Sequence, residues 1–362
     1  MSFDWSSPLP FRCQSKHQET PQAVTLELAP LFAADRFDYK PGQFISLGIM
    51  HKDQWVYRAY SLSSLAHEPI LRITVQAVDK GLVSNYLVHQ LAVGETLQLM
   101  APAGPFNCID QAAKINDGTR QAVLVSAGCG ITPVFAMAQY WLSQPEPCDV
   151  HFIHLAKSKT DTIYFDALQT MAKQQPNFHL HLLLKDAMTP SQAQQRFDGH
   201  WLQSLVPDFM QRSIYLCGPE QLMQQTAQSL EALNFEMAHF HHESFTPGPH
   251  ASIGTTTSTA ISTAAVTATA HDEAAPVQIT APAFGATMQA NVGDNLADKL
   301  EEMQLPILAV CRSGVCGACK CKVTPGSVDS SSQETLSAQE IEDGYVLACS
   351  STLKADTEVQ LG

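Results

Sequence analysis

Four cysteines toward the end of the sequence have the residue type and the spacing to hold an iron–sulfur cluster. Four residues separate Cys311 from Cys316, two separate Cys316 from Cys319, and twenty-nine separate Cys319 from Cys349. Thiolates in this C-x4-C-x2-C…C pattern hold the two irons of a [2Fe–2S] cluster. We therefore predict a metal centre that carries one electron at a time and that needs an electron source elsewhere in the chain.

Zinc is the alternative metal for a cysteine quartet. Structural zinc sites usually pair two C-x2–4-C knuckles, whereas Cys349 stands alone in the apolar segment Val346-Leu-Ala-Cys349. This difference favours the iron–sulfur centre. Cys321, two residues beyond Cys319, is expected on a strand and is left out of the ligand set.

A second group of residues has the chemistry to bind a flavin dinucleotide. In the motif Arg58-Ala59-Tyr60-Ser61, the arginine can pair bidentately with a phosphate. The tyrosine, two residues on, lies on the same face of a strand and offers a flat ring. The serine hydroxyl can donate to a ring nitrogen. Taken alone, the motif could equally be the polar edge of a strand.

A glycine turn further along the chain adds to this motif. Gly81 leads through Val83 to a predicted helix over residues 84–91, with Ser84 as its N-cap. The N-terminus of such a helix can bind a second phosphate. Two phosphate sites around an aromatic ring suit FAD.

A third group of residues predicts a site for a nicotinamide dinucleotide. Gly128 and Gly130 lie between a buried-type strand and a helix, for which we expect Thr132 as N-cap and Pro133 as first residue. A pyrophosphate fits at such a helix N-terminus. A glycine loop alone would be weak evidence for a nucleotide site. Because the flavin motif precedes it in the chain, we interpret it as the site of the nicotinamide pyrophosphate.

Two further segments bear on this site. Cys217-Gly218-Pro219 ends a later strand at the carboxyl edge of the same predicted sheet, where ligands bind in open α/β folds. The alternative for Cys217 is a small apolar side chain buried before a turn. His239, His241 and His242 could suggest a metal site, but on a strand we expect them to pack.

The elements that must position these groups fall into three domains of a multidomain fold. Residues 9–110 alternate as short strands separated by turns and predict an antiparallel β-barrel. Residues 118–245 alternate strands with helices and predict an α/β domain with a parallel sheet. Residues 246–273 have the Thr, Ser and Ala composition of a flexible linker. Residues 274–362 hold the cysteine quartet and form a ferredoxin-like domain.

Composition excludes several classes of partner. The 362 residues carry a net charge of −14, which argues against nucleic acid and anionic membrane surfaces. No basic and apolar leader is visible at the start, and no apolar run reaches the length of a membrane span. We therefore expect a soluble, cytoplasmic protein.

Taken together, the motifs resemble a known family, the ferredoxin–NADP reductase-type flavoproteins, here with a plant-type ferredoxin of β-grasp (α+β) fold fused at the C-terminal end. The motifs that carry the resemblance occur in the family's order: Arg58-x-Tyr60-Ser61, Gly128-x-Gly130-Ile-Thr-Pro133, Cys217-Gly-Pro219 and Glu243-Ser-Phe245. The resemblance implies that FAD is held at residues 58–61 and at Val83 and Ser84. It also implies that Ser61, Cys217 and Phe245 form the catalytic site, with Cys217 near the nicotinamide and Phe245 near the flavin ring.

Within that family, the chain is similar to the NADH-dependent reductases of hybrid-cluster protein. Shared details include Cys311-Arg-x-Gly-Val-Cys316-Gly and Gly344-Tyr-Val-Leu-Ala-Cys349-Ser. Lys157 departs from the family, which usually has an arginine there. Because residues 156–160 offer only lysines and no arginine and tyrosine for a 2′-phosphate, we expect NADH rather than NADPH.

These inferences predict an enzyme that passes electrons from NADH to FAD, to the [2Fe–2S] cluster and then to a partner protein. The resemblance implies hybrid-cluster protein as this partner, in the reduction of nitric oxide or hydroxylamine. The alternative with the same chemistry is the reductase component of a multicomponent oxygenase. A redox sensor is a third alternative.

Overall fold

The structure, a computed structural model, describes residues 8–31, 37–52, 54–189, 197–245, 276–309, 312, 314, 317–333 and 335–361. The chain forms two compact units, Met1–Thr246 and Pro247–Gly362. The predicted linker, residues 246–273, and the cluster cysteines Cys311 and Cys316 lie outside the described residues.

The N-terminal part of the first unit is a barrel-like antiparallel sheet. Its six strands are β1 (Leu9–Thr20), β2 (Ala23–Pro30), β3 (Phe44–His51), β4 (Gln54–Ser61), β5 (Leu71–Gln76) and β6 (Thr96–Leu99). They are ordered β4-β3-β6-β1-β2-β5, and a bridge from Leu62 to Ile73 links the two ends of this order. Alternating side chains point inward, so Leu26, Leu47 and Val75 are completely buried. The predicted antiparallel barrel is confirmed.

The rest of the first unit is an α/β domain around a parallel sheet. Its strands are β7 (Ile115–Asn116), β8 (Thr119–Ala127), β9 (Cys148–Ala156), β10 (Phe178–Leu184), β11 (Ser213–Gly218) and β12 (Phe240–Ser244). The parallel order is β10-β9-β8-β11-β12, with β7 antiparallel to β8. This arrangement confirms the predicted parallel sheet.

Helices cover both faces of this sheet, as crossover connections require. In the barrel, a short helix α1 (Leu82–Asn85) continues into a π-helical turn; the α/β domain contains α2 (Ile131–Ser143), α3 (Phe165–Gln174), α4 (Gly199–Leu205) and α5 (Glu220–Ala232). Trp141 of α2 and Leu168 of α3 are buried in the core on one face. Leu202 of α4 and Leu230 of α5 are buried in the core on the other face.

The barrel and the α/β domain are joined through side chains of β1 and β5. The Tyr164 hydroxyl hydrogen-bonds the Thr74 hydroxyl, and the Tyr164 N–H donates to Glu19 Oε2 at 3.2 Å. Cys129 Sγ donates to the Thr74 carbonyl at 3.6 Å. These contacts bring the barrel against the carboxyl end of the parallel sheet.

The second unit has the mixed sheet of a β-grasp fold. Its strands are β13 (Pro276–Ala281), β14 (Ala286–Asn291), β15 (Lys320–Val323), β16 (Val328–Ser330), β17 (Tyr345–Leu347), β18 (Ser351–Leu353) and β19 (Thr357–Leu361). The main sheet is ordered β14-β13-β19-β15-β17, and β13 runs parallel to β19. Helix α6 (Leu296–Glu302) buries Leu296 and Leu300 in the core, and α7 (Ala338–Glu342) precedes β17.

Candidate flavin, nicotinamide and iron–sulfur sites

The predicted flavin motif forms the last four residues of β4. Strand pairing with β3 places Arg58 opposite Leu47 and Ser61 opposite Phe44. Arg58 is exposed and donates to the Tyr57 carbonyl at 2.6 Å. Tyr60, on the same strand face, is half-buried, and burial raises its pKa, so the ring stays neutral at physiological pH.

Ser61 supplies the test of whether these residues fit a flavin. Its side chain is 3% exposed, and its Oγ has no hydrogen-bond partner among the described residues. A buried hydroxyl without a partner is costly. A ring nitrogen at this position would satisfy it, so the residues present fit FAD.

The second predicted flavin segment differs from the sequence expectation. Helix α1 begins at Leu82 with Gly81 at its N-cap, so Ser84 lies within the helix and is not its cap. The Ser84 hydroxyl instead accepts the Val78 N–H at 3.4 Å. The sequence expectation failed because a serine hydroxyl can bond a nearby backbone group from within the turn as well as from a cap. Val83 and Ser84 are both buried.

The glycine loop of the nicotinamide site also begins its helix earlier than predicted. Residues 128–130 form a 3-10 turn, and α2 follows from Ile131 with Gly130 as N-cap. Thr132 is therefore the second helical residue, and its hydroxyl donates to the Cys129 carbonyl at 3.1 Å. Gly128 has φ +56°, a left-handed conformation that glycine adopts readily.

The structure brings this loop together with the Cys217 segment. Strands β8 and β11 are parallel neighbours, with Ser126 opposite Cys217. A Cβ on Gly130 would lie only 2.2 Å from the Cys217 carbonyl oxygen, so only glycine allows this approach. Gly218 ends β11, and Pro219 is the N-cap of α5.

A cavity of about 410 Å³ lies beside this loop. Gly128 and Gln76 line it at the junction with the barrel, and Lys157, Asp161 and Lys185 line it beyond the ends of β9 and β10. The cavity therefore sits at the carboxyl edge of the sheet, where open α/β folds bind nucleotides.

Glu243 also lies at this site; the sequence analysis named it as part of a motif but gave it no role. Parallel pairing of β11 and β12 places Glu243 opposite Cys217. Burial raises the pKa of the carboxyl to about 8, and its Oε2 has no hydrogen-bond partner among the described residues. Burial, with Glu243 and Cys129 nearby, also raises the pKa of Cys217 well above its ordinary value, so Cys217 stays a thiol. The sequence signal was a charged residue on a strand next to Phe245, whose side chain is exposed.

Two of the four predicted cluster ligands lie within the described residues and are close together. Cys319 Sγ and Cys349 Sγ are 3.2 Å apart, and both side chains are buried. The Gly314 N–H donates to Cys349 Sγ at 3.3 Å, and the Cys349 N–H donates to Cys319 Sγ at 3.4 Å. Because backbone N–H groups stabilise negative charge on sulfur, this environment fits thiolates bound to iron.

Cys321, His241 and His242 lie on strands, as the sequence analysis expected. His239 does not: it lies in a 3-10 turn before β12, with its Nε2 3.6 Å from Glu236 Oε2. Cys321 lies on β15 in the core, and burial, followed by the neighbouring Cys319, raises its pKa to about 12. It is therefore a thiol. The rings of His241 and Tyr215 pack with centroids 4.9 Å apart, and those of His242 and Phe240 with centroids 5.2 Å apart.

Comparisons with protein-family models match all three domains. An oxidoreductase FAD-binding domain matches residues 10–108, an oxidoreductase NAD-binding domain matches residues 124–228, and a 2Fe-2S iron-sulfur cluster binding domain matches residues 281–354. The chain therefore has domains for FAD, NAD and a [2Fe–2S] cluster. None of the helices in the described ranges is long and apolar enough to cross a membrane.

Similar proteins share this arrangement over nearly their full length. The glycine betaine monooxygenase reductase subunit of Chromohalobacter salexigens is 30% identical, covering 96% of this chain and 94% of its own. NADH oxidoreductase HCR of Escherichia coli is 30% identical, covering 94% of each. A solved structure of phthalate dioxygenase reductase has the same fold, with a TM-score of 0.60, 19% identity and 98% coverage of both chains. The protein thus belongs to the family of oxidoreductases that join an FAD-binding barrel, an NAD-binding α/β domain and a C-terminal [2Fe–2S] ferredoxin domain.

Proposed function

We propose that this protein is the NADH-dependent reductase component of an oxygenase and delivers single electrons to its oxygenase partner. The observation that carries the proposal is the similarity to a glycine betaine monooxygenase reductase subunit across 96% of the chain. The fold shared with phthalate dioxygenase reductase is consistent with it. The comparisons favour this alternative over the hybrid-cluster protein suggested by the sequence motifs.

When bound, the nicotinamide dinucleotide, FAD and the [2Fe–2S] cluster together convert the electron pair of a hydride into single electrons. The chain's own residues hold and orient these groups. In the proposal, Arg58 pairs with a flavin phosphate, Ala59 and Tyr60 border the flavin, and the buried Ser61 hydroxyl donates to a ring nitrogen. Val83 and Ser84 complete the flavin site, and Phe245 covers the ring.

The nicotinamide dinucleotide is proposed to enter along the cavity beside Gly128, with its pyrophosphate at the N-terminus of α2 around Gly130 and Thr132. Cys217 and Gly218 border the nicotinamide, and Pro219 begins the helix behind them. Because the pKa of the Glu243 carboxyl is raised to about 8, Glu243 is protonated and uncharged beside Cys217 at neutral pH.

We expect NADH to be preferred over NADPH. Lys157 and Lys185 line the cavity, but Asp161 lines it too, with a carboxylate that accepts the Ser158 hydroxyl at 2.6 Å. This carboxylate can accept a ribose hydroxyl, whereas it repels a 2′-phosphate. A kcat/KM for NADPH equal to or above that for NADH would reverse the assignment.

The cluster is proposed to be held by Cys311, Cys316, Cys319 and Cys349. Arg312, on the same loop, forms ion pairs with Asp298 and Glu301 of α6, which tie the loop to this helix. The residues from 274 onward include eleven acidic and five basic residues. We therefore expect the acceptor protein to dock through a basic surface.

Hybrid-cluster protein is the second candidate for the acceptor. Its support is the set of cluster-loop motifs noted in the sequence, together with 30% identity to NADH oxidoreductase HCR. The chemistry up to the cluster is the same for both candidates, so only the acceptor distinguishes them.

The experiment that tests the proposal measures NADH oxidation by the holoprotein with each acceptor in turn, starting from anaerobic solutions. One reaction contains the oxygenase component of glycine betaine monooxygenase with glycine betaine and a limited pulse of oxygen. The other contains hybrid-cluster protein with hydroxylamine. Acceleration by the oxygenase component alone supports the proposal, and acceleration by hybrid-cluster protein alone replaces it with the second candidate. If neither protein accelerates oxidation while dyes are reduced, both assignments of the acceptor are wrong.

A further inference from the structure

A group of metal-ligating side chains lies away from the sites described above, on strands β9 and β10. We call Asp149, His151, His179 and His181 the histidine cluster. Asp149 and His151 share one face of β9, and the parallel register places His179 directly opposite His151. One ligand atom from each of Asp149, His151 and His179 lies within 4.8 Å of the others.

The distances within the histidine cluster are close to those of a tetrahedral metal site. His179 Nε2 lies 3.0 Å from Asp149 Oδ2, and His151 Nε2 lies 3.8 Å from Asp149 Oδ1. Ligand bonds of 2.0–2.1 Å to zinc imply ligand-to-ligand separations of about 3.3 Å. Small side-chain rotations would therefore bring the three ligand atoms around one ion.

A hydrogen bond orients the central histidine for this role. His151 Nδ1 lies 3.1 Å from His181 Nε2. We assign the proton to His151 Nδ1, which leaves the lone pair of His151 Nε2 on the side of Asp149. A metal-bound histidine almost always donates its other ring N–H to a partner, and His181 provides that partner here.

The local charge does not oppose a cation. Arg212 Nη1 lies 2.5 Å from Asp149 Oδ1, and Arg212 Nη2 lies 2.7 Å from Asp208 Oδ2, so one guanidinium is shared by two carboxylates. Metal ligation requires neutral imidazoles. The remaining charged groups around the site, Asp149, Asp208 and Arg212, sum to −1.

The site is also open enough for an ion to enter. The Asp149 side chain is 30% exposed and that of His179 is 39% exposed, whereas the Arg212 side chain behind them is 6% exposed. Two imidazoles and one carboxylate suit zinc and similar transition metals better than magnesium or calcium, which favour oxygen ligands.

We propose that Asp149, His151 and His179 bind one divalent transition-metal ion of the zinc type, with His181 as the hydrogen-bond partner of His151. The ion ties β10, the edge strand of the sheet, to β9. Leu183 at the end of β10 and Lys185 just beyond it line the nucleotide cavity, so the ion also supports one wall of that cavity. This proposal does not depend on the identity of the electron acceptor.

Calorimetric titration of the FAD- and cluster-loaded protein with zinc chloride, in metal-free buffer, tests the proposal. The wild type should bind one zinc ion that the His179→Gln variant binds at least about tenfold more weakly. Glutamine keeps a donor near Asp149 and a similar volume, so FAD content and dye reduction should not change. His67→Gln, which changes an exposed histidine of the barrel, is the matched control and should bind zinc like the wild type.

The same comparison distinguishes the proposed site from zinc binding by the cluster cysteines. Wild type and His179→Gln carry the same cysteines, so zinc bound there would bind equally to both proteins. Zinc should also raise the melting temperature of the wild type and of His67→Gln but not that of His179→Gln. The proposal is overturned if the wild type binds no zinc in the micromolar range. It is equally overturned if His179→Gln binds zinc as tightly as the wild type.

Discussion

The carboxyl of Glu243, whose Oε2 has no hydrogen-bond partner among the described residues, leads to a prediction about pH and stability. Glu243 lies on β12, opposite Cys217 of β11. Burial raises the pKa of its carboxyl from the ordinary 4.5 to about 8. The folded protein therefore holds this proton more tightly than the unfolded chain does. The stabilising contribution is complete below pH 4.5 and is lost as the pH rises through 8.

The size of the effect follows from the same two values. A pKa change from 4.5 to about 8 corresponds to a loss of at most about 5 kcal/mol in the free energy of unfolding. Because the residue as a whole is only partly buried, we expect about 2–3 kcal/mol. The Glu243→Gln substitution keeps the shape and removes the titration, so this pH-dependent loss should disappear.

The assay is thermal unfolding of the FAD-loaded wild type and of Glu243→Gln at pH 5 and at pH 9. At pH 5 the two proteins should melt together, and at pH 9 the variant should melt about 4–12 °C higher. Glu236→Gln is the control: Glu236 is exposed and paired with Lys114 at 3.1 Å, which lowers its pKa. Because Glu236→Gln retains Glu243, it should lose stability between pH 5 and pH 9 as the wild type does. Parallel pH dependence in the wild type and in Glu243→Gln would refute the reasoning.

Three further predictions concern the path of the electrons. Gly130→Ala places a Cβ 2.2 Å from the Cys217 carbonyl oxygen, so it should cost about 1–3 kcal/mol of stability and raise the KM for NADH; an unchanged KM would contradict the site. Cys349→Ser should leave flavin reduction by NADH intact and abolish electron delivery to a protein acceptor, and normal delivery would exclude Cys349 as a ligand. If residues 246–273 let the cluster domain move between flavin and partner, shortening them to a few residues should slow transfer to the partner more than flavin reduction by NADH, while a Gly/Ser segment of the original length should not. Unchanged partner turnover would rule out this movement.

Local patterns were enough to predict the three domains. Strand alternation in residues 9–110 and strand–helix alternation in residues 118–245 reflect which side chains each element must bury, and this information is local. The spacing of the cysteines predicted a cluster without any knowledge of the fold. Helix starts were predicted less well, because Ser84 and Thr132 bond backbone groups inside their turns and do not cap them.

Contacts between distant parts of the chain were beyond reach of the sequence. Gly130 meets Cys217 only because β8 and β11 are parallel neighbours. The histidine cluster likewise forms because the register of β9 and β10 sets His151 opposite His179. The raised pKa of Glu243 depends on the whole packed corner around it, which a strand pattern does not encode.

Electrons from NADH are proposed to reach the cluster through the flavin. The most direct test mixes the holoprotein with NADH anaerobically, follows flavin bleaching by absorbance and freezes samples for electron paramagnetic resonance. We expect the signal of a reduced [2Fe–2S] cluster to appear as the flavin bleaches, and we expect Cys349→Ser to bleach without that signal. A wild-type cluster that stays oxidised while the flavin is fully reduced would show that electrons do not pass from the flavin to the cluster.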